Sequence, residues 1–81
     1  MTDMHDPQNL ETLYGPLYKF SDHKRGDHIT FRGERVLMLT GVVIWVCAPG
    51  EIAGTRTGMQ YIVEPERGGM PDVVMPSDII E

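Results

Sequence analysis

The stretch that most constrains the fold is Thr40-Gly41-Val42-Val43-Ile44-Trp45-Val46-Cys47. It is the most apolar run in the chain, and β-branched residues dominate it. A run this short does not span a bilayer, so it has to be buried within a folded domain. Branching at Cβ stiffens χ1 and suits a pleated surface, which makes this segment the central strand of a small sheet. Gly41, inside the strand, marks a bulge or a bend.

The remaining strands follow by alternation and by turn residues. His28-Ile29-Thr30-Phe31-Arg32 reads as a first strand with Ile29 and Phe31 inward, closed by a turn at Gly33-Glu34. Arg35 to Leu39 leads into the central strand. Met59-Gln60-Tyr61-Ile62-Val63 is the next strand, with Tyr61 and Val63 on one side, and Asp72-Val73-Val74-Met75 is a fourth. Pro76-Ser77-Asp78 predicts a single 3₁₀ turn, and Ile79-Ile80 a short last strand. Between Cys47 and Gly58, three glycines and a proline predict a long loop. Short strands, closely spaced turns and no long helix describe an all-β fold. The final strand entered through a tight turn specifies a small five-stranded SH3-like barrel over residues 25–81, with Ile29, Val43, Trp45 and Tyr61 at its centre.

Residues 1–24 form a partly ordered N-terminal arm of different character. Asp6 can cap a helix, Pro7 suits its first position and Gly15 its C′ position. Leu10, Leu13 and Tyr14 give that helix one apolar face. Two turns of helix need a surface to pack on. The arm is therefore either a disordered tail or a segment that docks on a neighbouring subunit. Tyr14, Leu17, Tyr18 and Phe20 are expected to lie extended against the barrel, followed by a polar turn from Ser21 to Asp27.

Size sets the next limit. A chain of 81 residues buries only roughly 60% of its unfolded surface, and usually needs a staple. Cys47 is the single cysteine, so no intrachain disulfide can form, and no Cys/His cluster has zinc-ligand spacing. Association with further copies is the staple left, so a homo-oligomer is expected. The net charge of −5 opposes nucleic-acid binding, and the acidity is concentrated at 59–81, where Glu64, Glu66, Asp72, Asp78 and Glu81 face Arg67 alone. A local cluster of Lys24, Arg25, Arg32 and Arg35 is the one basic candidate. The start of the chain has neither a basic nor an apolar leader segment, and the free cysteine fits a reducing compartment, so a cytoplasmic location away from membranes is expected.

In this order, Gly26-Asp27-His28-Ile29, Gly41-Val42-Val43-Ile44-Trp45-Val46-Cys47, Tyr61-Ile62-Val63-Glu64 and Pro76 through Ile80-Glu81 resemble the plasmid- and integron-borne type II dihydrofolate reductases. The likeness covers roughly 26–81. It implies an SH3-like barrel, an origin on a mobile genetic element such as an integron cassette, and a homotetramer whose central pore binds a nicotinamide cofactor and dihydrofolate. In that family the pore is lined by a Gln-Ile-Tyr run before the last turn and by a lysine in the first strand. Here those positions hold Val73-Val74-Met75 and Phe31, which removes an amide, a hydroxyl and a cation. Hydride transfer in such a pore depends on positioning by those groups. No cofactor is therefore expected, and the barrel carries over better than the chemistry.

Other chemistry has little support in the residues. Asp22, His23, Asp27 and His28 have the composition of a metal site but sit in a turn, where solvated side chains are the simpler account. Arg25-Gly26-Asp27 is read as a turn tripeptide. Gly50, Gly54 and Gly58 recur at intervals of four, yet a phosphate loop wants a lysine and a helix, and neither follows. Cys47 ends a buried strand, where a thiol is inert. Tyr14, Tyr18, Phe20 and Tyr61 could line a cage for a quaternary ammonium, at the expense of the core. The expectation is a non-enzymatic, self-associating binding module of unknown ligand. Its contact residues are Trp45, Ile52, Arg56 and Tyr61, the 47–58 loop supplying the middle two. A diverged pore-type oxidoreductase is the alternative, and a nucleic-acid-binding barrel the second alternative.

Overall fold

A computed structural model describes residues 6–33, 38–52 and 55–80, with the side chains of 51, 52 and 55–57 outside the description. Helix α1 spans Pro7–Tyr14. Strands β1 (His28–Phe31), β2 (Leu39–Cys47), β3 (Gly50–Ile52), β4 (Thr55–Thr57), β5 (Gln60–Pro65), β6 (Asp72–Val74) and β7 (Ile79–Ile80) follow, with a 3₁₀ turn over Pro76–Asp78 before β7. Five strands form one antiparallel sheet in the order β6-β5-β2-β1-β7, curled into a half-barrel, while β3 and β4 form a separate hairpin. The fold is a small all-β barrel. The run from Leu39 to Cys47 is its centre, flanked by β1 along its first half and by β5 from Gly41 onward.

Four consecutive residues of β2, Val43 to Val46, are buried because both faces of the strand are covered, but Ile44 and Trp45 share one face, which simple alternation forbids. A bulge explains it. Val43 pairs with Val63 and Trp45 with Ile62, leaving Ile44 without a partner in the ladder. The extra residue turns both Ile44 and Trp45 to the outer face, and returns Val46 to the inner one. The protein consequently has two apolar clusters. Inside the curl lie Ile29, Phe31, Val43, Val46, Tyr61, Val63 and Val74. Outside it, Ile44, Trp45 and Ile62 pack beneath Leu10 of α1.

Helix α1 forms where the sequence predicts it. The Asp6 carboxylate accepts from the Gln8 N–H at 2.9 Å, Pro7 opens the first turn, and Gly15, at φ 87°, donates to the Glu11 carbonyl. The helix seats on its own barrel rather than remaining a tail: Leu10 is 2% exposed, and the Trp45 Nε1–H donates to the Gly15 carbonyl at 2.9 Å.

The arm also completes the half of β2 that β1 leaves bare. Gly26 donates to the Val43 carbonyl, Val43 donates to Asp27, Tyr18 donates to Val46, and Leu17 bridges Cys47. At the bulge the donor is a side chain, Arg25 Nε, which reaches the Ile44 carbonyl at 2.7 Å. An apolar run would otherwise carry open backbone groups, so this accounting satisfies much of its edge.

Several expectations need correction. The predicted 47–58 loop contains the β3–β4 hairpin, because Ile52, Thr55 and Thr57 favour a ladder. Trp45 is buried, but under α1 and not at the barrel centre with Ile29, Val43 and Tyr61. Leu17 and Tyr18 lie against the barrel as expected, whereas Phe20 stands 85% exposed with its ring edge-on to Tyr18. The first and fourth strands stop one residue short, at Phe31 and Val74. The segment from Glu34 to Leu37, expected to lead into β2, lies outside the described residues.

Candidate functional site

The four contact residues singled out from the sequence do not share a surface. Trp45 lies on the outer face at 2% exposure, held by Gly15 and capped by the Arg25 guanidinium 5.1 Å from its ring centre. Tyr61, also 2% exposed, belongs to the inner cluster on the other side of the sheet. Ile52 and Arg56 occupy the β3–β4 hairpin, opposite Thr55 and Glu51 in its ladder, and their side chains lie outside the described part of the structure.

Two concave regions adjoin these elements. One is a groove of about 420 Å³ bordered by Arg25, Gly26, Val42, Val43, Ile44 and Glu64. It continues the outer face of the sheet beside the bulge, with an apolar floor between a cation and a carboxylate. The other is a cleft of about 240 Å³ lined by Asp22, His23, Tyr61, Pro76 and Ile79. Its walls come from the loop before β1, from β5 and from the 3₁₀ turn that enters β7.

The loop bearing Asp22 and His23 is knitted to itself. The Ser21 hydroxyl donates to the His23 carbonyl. The Lys24 ammonium donates to the carbonyls of Lys19 and Ser21, and the Lys24 N–H to Asp27 Oδ2 at 2.8 Å. These bonds fix the loop without a regular element. The His23 ring stands edge-on to Tyr61 with centroids 5.6 Å apart, and the His23 N–H approaches the phenol oxygen at 3.4 Å.

The two histidines of this region therefore turn apart. His28 Nδ1 lies 3.6 Å from Glu66, whose other oxygen accepts from the Thr40 hydroxyl. Among the described residues no three His, Cys, Asp or Glu side chains converge as a metal site. The candidate cage rings do not enclose one space: Tyr14 packs in the outer cluster, Tyr61 is buried in the inner one with Tyr18 against it, and Phe20 stands exposed with its ring edge-on to Tyr18. Cys47 is half-buried, and burial pushes its thiol above the usual pKa, the reverse of what a nucleophile needs.

No family model, curated protein or solved structure matches this chain.

Sequence reasoning missed the open edge of the sheet. Among the described residues, strand β6 pairs only with β5, and its other side has no neighbour in the sheet. Val74 faces inward at 2% exposure, while Val73 faces outward at 58%, next to Met70 at 85%. The signal was available. Two successive valines in a short strand cannot both reach one core, so one must face out.

Proposed function

We propose that this protein is a non-enzymatic binding module that works as an assembly of its own copies, joined along β6. The observation that carries the reading is Val73, 58% exposed on a strand whose outer side is unpaired among the described residues, with Met70, 85% exposed, in the bend just before it. An open, apolar edge is a template for another strand. A second copy fits it well. Antiparallel pairing about Val73 sets Val73 against its own counterpart and Asp72 against Val74, so no carboxylates meet. Burying one such side chain is worth about 1.5–3 kcal/mol. That gain comes where an 81-residue core with a lone cysteine has no disulfide to rely on.

The chemistry of the chain supports the non-enzymatic half of the reading. Where the type II dihydrofolate reductases carry pore-lining polar groups, this chain has Phe31 at 1% exposure, Val74 at 2% and the apolar Val73 and Met75. These side chains offer neither a hydrogen-bond donor nor a charge for a nicotinamide cofactor. The net charge of −5 argues in the same way against a phosphate backbone. Sedimentation equilibrium of the wild-type chain and of Val73→Lys tests the proposal. Self-association that the lysine abolishes, with unchanged circular dichroism, supports it; a wild-type monomer at all concentrations refutes it.

A further inference from the structure

We propose that His28 and Glu66 form a binding site for a divalent transition-metal ion of the zinc class, which pins the turn after β5 to the start of β1. This goes beyond self-association and uses side chains outside β6. The key observation is a spacing. His28 Nδ1 lies 3.6 Å from Glu66 Oε1, too long for a hydrogen bond. It is the separation of two ligands on one ion: at zinc bond lengths of about 2.0–2.2 Å, adjacent corners of a tetrahedron stand about 3.3–3.6 Å apart. Both side chains are open to solvent, at 72% and 57% exposure, so an ion can reach them directly. As a plain ion pair, a contact this exposed contributes little.

The scaffold aims these two groups. Glu66 is held to β2 twice over: its N–H donates to the Thr40 carbonyl at 3.0 Å, and its Oε2 accepts from the Thr40 hydroxyl at 2.9 Å. Oε1 is the oxygen that meets His28, and an outer hydrogen bond of this kind is how proteins orient a metal-binding carboxylate. His28 opens β1 opposite Val42, and Thr30 pairs with Thr40, so the imidazole and the supporting hydroxyl stand on neighbouring paired strands. Of Asp22, His23, Asp27 and His28, the set that the sequence places in one turn, only His28 takes part, and its carboxylate comes from a distant element. The donor set chooses the ion. A nitrogen with an oxygen suits zinc and its neighbours, whereas magnesium and calcium take oxygen ligands. The acidity of 59–81 favours a cation at Glu66. Two protein ligands leave the other corners to water, so the ion is held weakly. Its effect is that of a staple, linking β1 to the turn that leads into β6 in a chain whose single cysteine allows no internal disulfide.

NMR titration of the full chain with zinc chloride, read at the His28 ring and at the backbone amides of Thr40 and Glu66, tests the site. Saturable shifts are expected there, together with a melting temperature that rises with zinc concentration, as binding to the folded state requires. Both ligands are exposed, so His28→Ala and Glu66→Gln should stay folded, and each should abolish the saturable shifts at the remaining partner and the rise in melting temperature. Thr40→Val keeps both ligands and should weaken binding about tenfold, the effect of losing an outer hydrogen bond to a metal ligand. Magnesium chloride should leave the His28 ring unmoved. The proposal is overturned if zinc produces no saturable shift at His28 and Glu66, if either ligand variant titrates like the wild type, or if magnesium moves the His28 ring as zinc does. Saturable shifts without any rise in melting temperature would overturn the staple.

Discussion

Gly41 sets how closely β2 and β5 approach. A Cβ at this position would lie 2.6 Å from the Glu64 carbonyl oxygen and 2.7 Å from a Val63 methyl. Backbone cannot yield as a flexible side-chain tip can, so Gly41→Ala should destabilise the protein by about 1–3 kcal/mol, read as a lower urea midpoint at unchanged m. Glycine inside the apolar run is visible in the sequence, and it suggests a bend; the actual bulge lies three residues on, at Ile44. Nothing in the residue type of Ile44 marks it. The bulge is set by tertiary pairing, and by Arg25, whose Nε meets the freed carbonyl at 2.7 Å. Arg25→Met should therefore cost about 1–3 kcal/mol in chemical denaturation, with lysine restoring only part of it, since a point charge cannot both reach that carbonyl and lie flat over Trp45. Cys47 gives a pH signature. Its raised pKa means that the fold favours the thiol, a contribution complete below the ordinary thiol pKa and lost as pH climbs through the raised value. Alkylation by iodoacetamide near pH 8 should accordingly be slower in the folded protein than in urea.

At the scale of elements, α1 is the part most legible in the sequence and most dependent on the rest. Its cap, first proline and terminal glycine are local signals, and they place Pro7–Tyr14 to the residue. Its docking partner is not local. Two turns of helix are marginal alone, so α1 persists through Leu10, Tyr14 and the indole bond from Trp45. Leu10→Ala removes the central contact, at about 2–5 kcal/mol. The expected outcome is a helix released from a barrel that stays folded: Trp45 emission shifts to the red while the strand signal in circular dichroism is retained. Simultaneous loss of both would mean that the two clusters unfold as one. The β3–β4 hairpin was hidden for the opposite reason. Gly50, Gly54 and Gly58 dominate the composition of that stretch, whereas the ladder is carried by the short β-branched pieces between them.

At the scale of the whole molecule, the order β6-β5-β2-β1-β7 leaves β6 and β7 as sheet edges among the described residues, with exposed Val73 on β6 and exposed Met70 just before it. The barrel could be read from turn spacing, from the 3₁₀ turn at Pro76–Asp78 and from the central run, because each is a local pattern repeated along the chain. Which loop closes over Tyr61 depends on a contact between residues 38 positions apart, and no short window of sequence contains it. Association through β6 is the claim on which the functional reading rests, and sedimentation equilibrium across a hundredfold concentration range tests it most directly. The account predicts a wild-type protein whose apparent mass rises with concentration to a defined multiple of the monomer, and a Val73→Lys protein that stays monomeric throughout. A wild type that remains monomeric over the whole range, or a lysine variant that associates equally well, would contradict it.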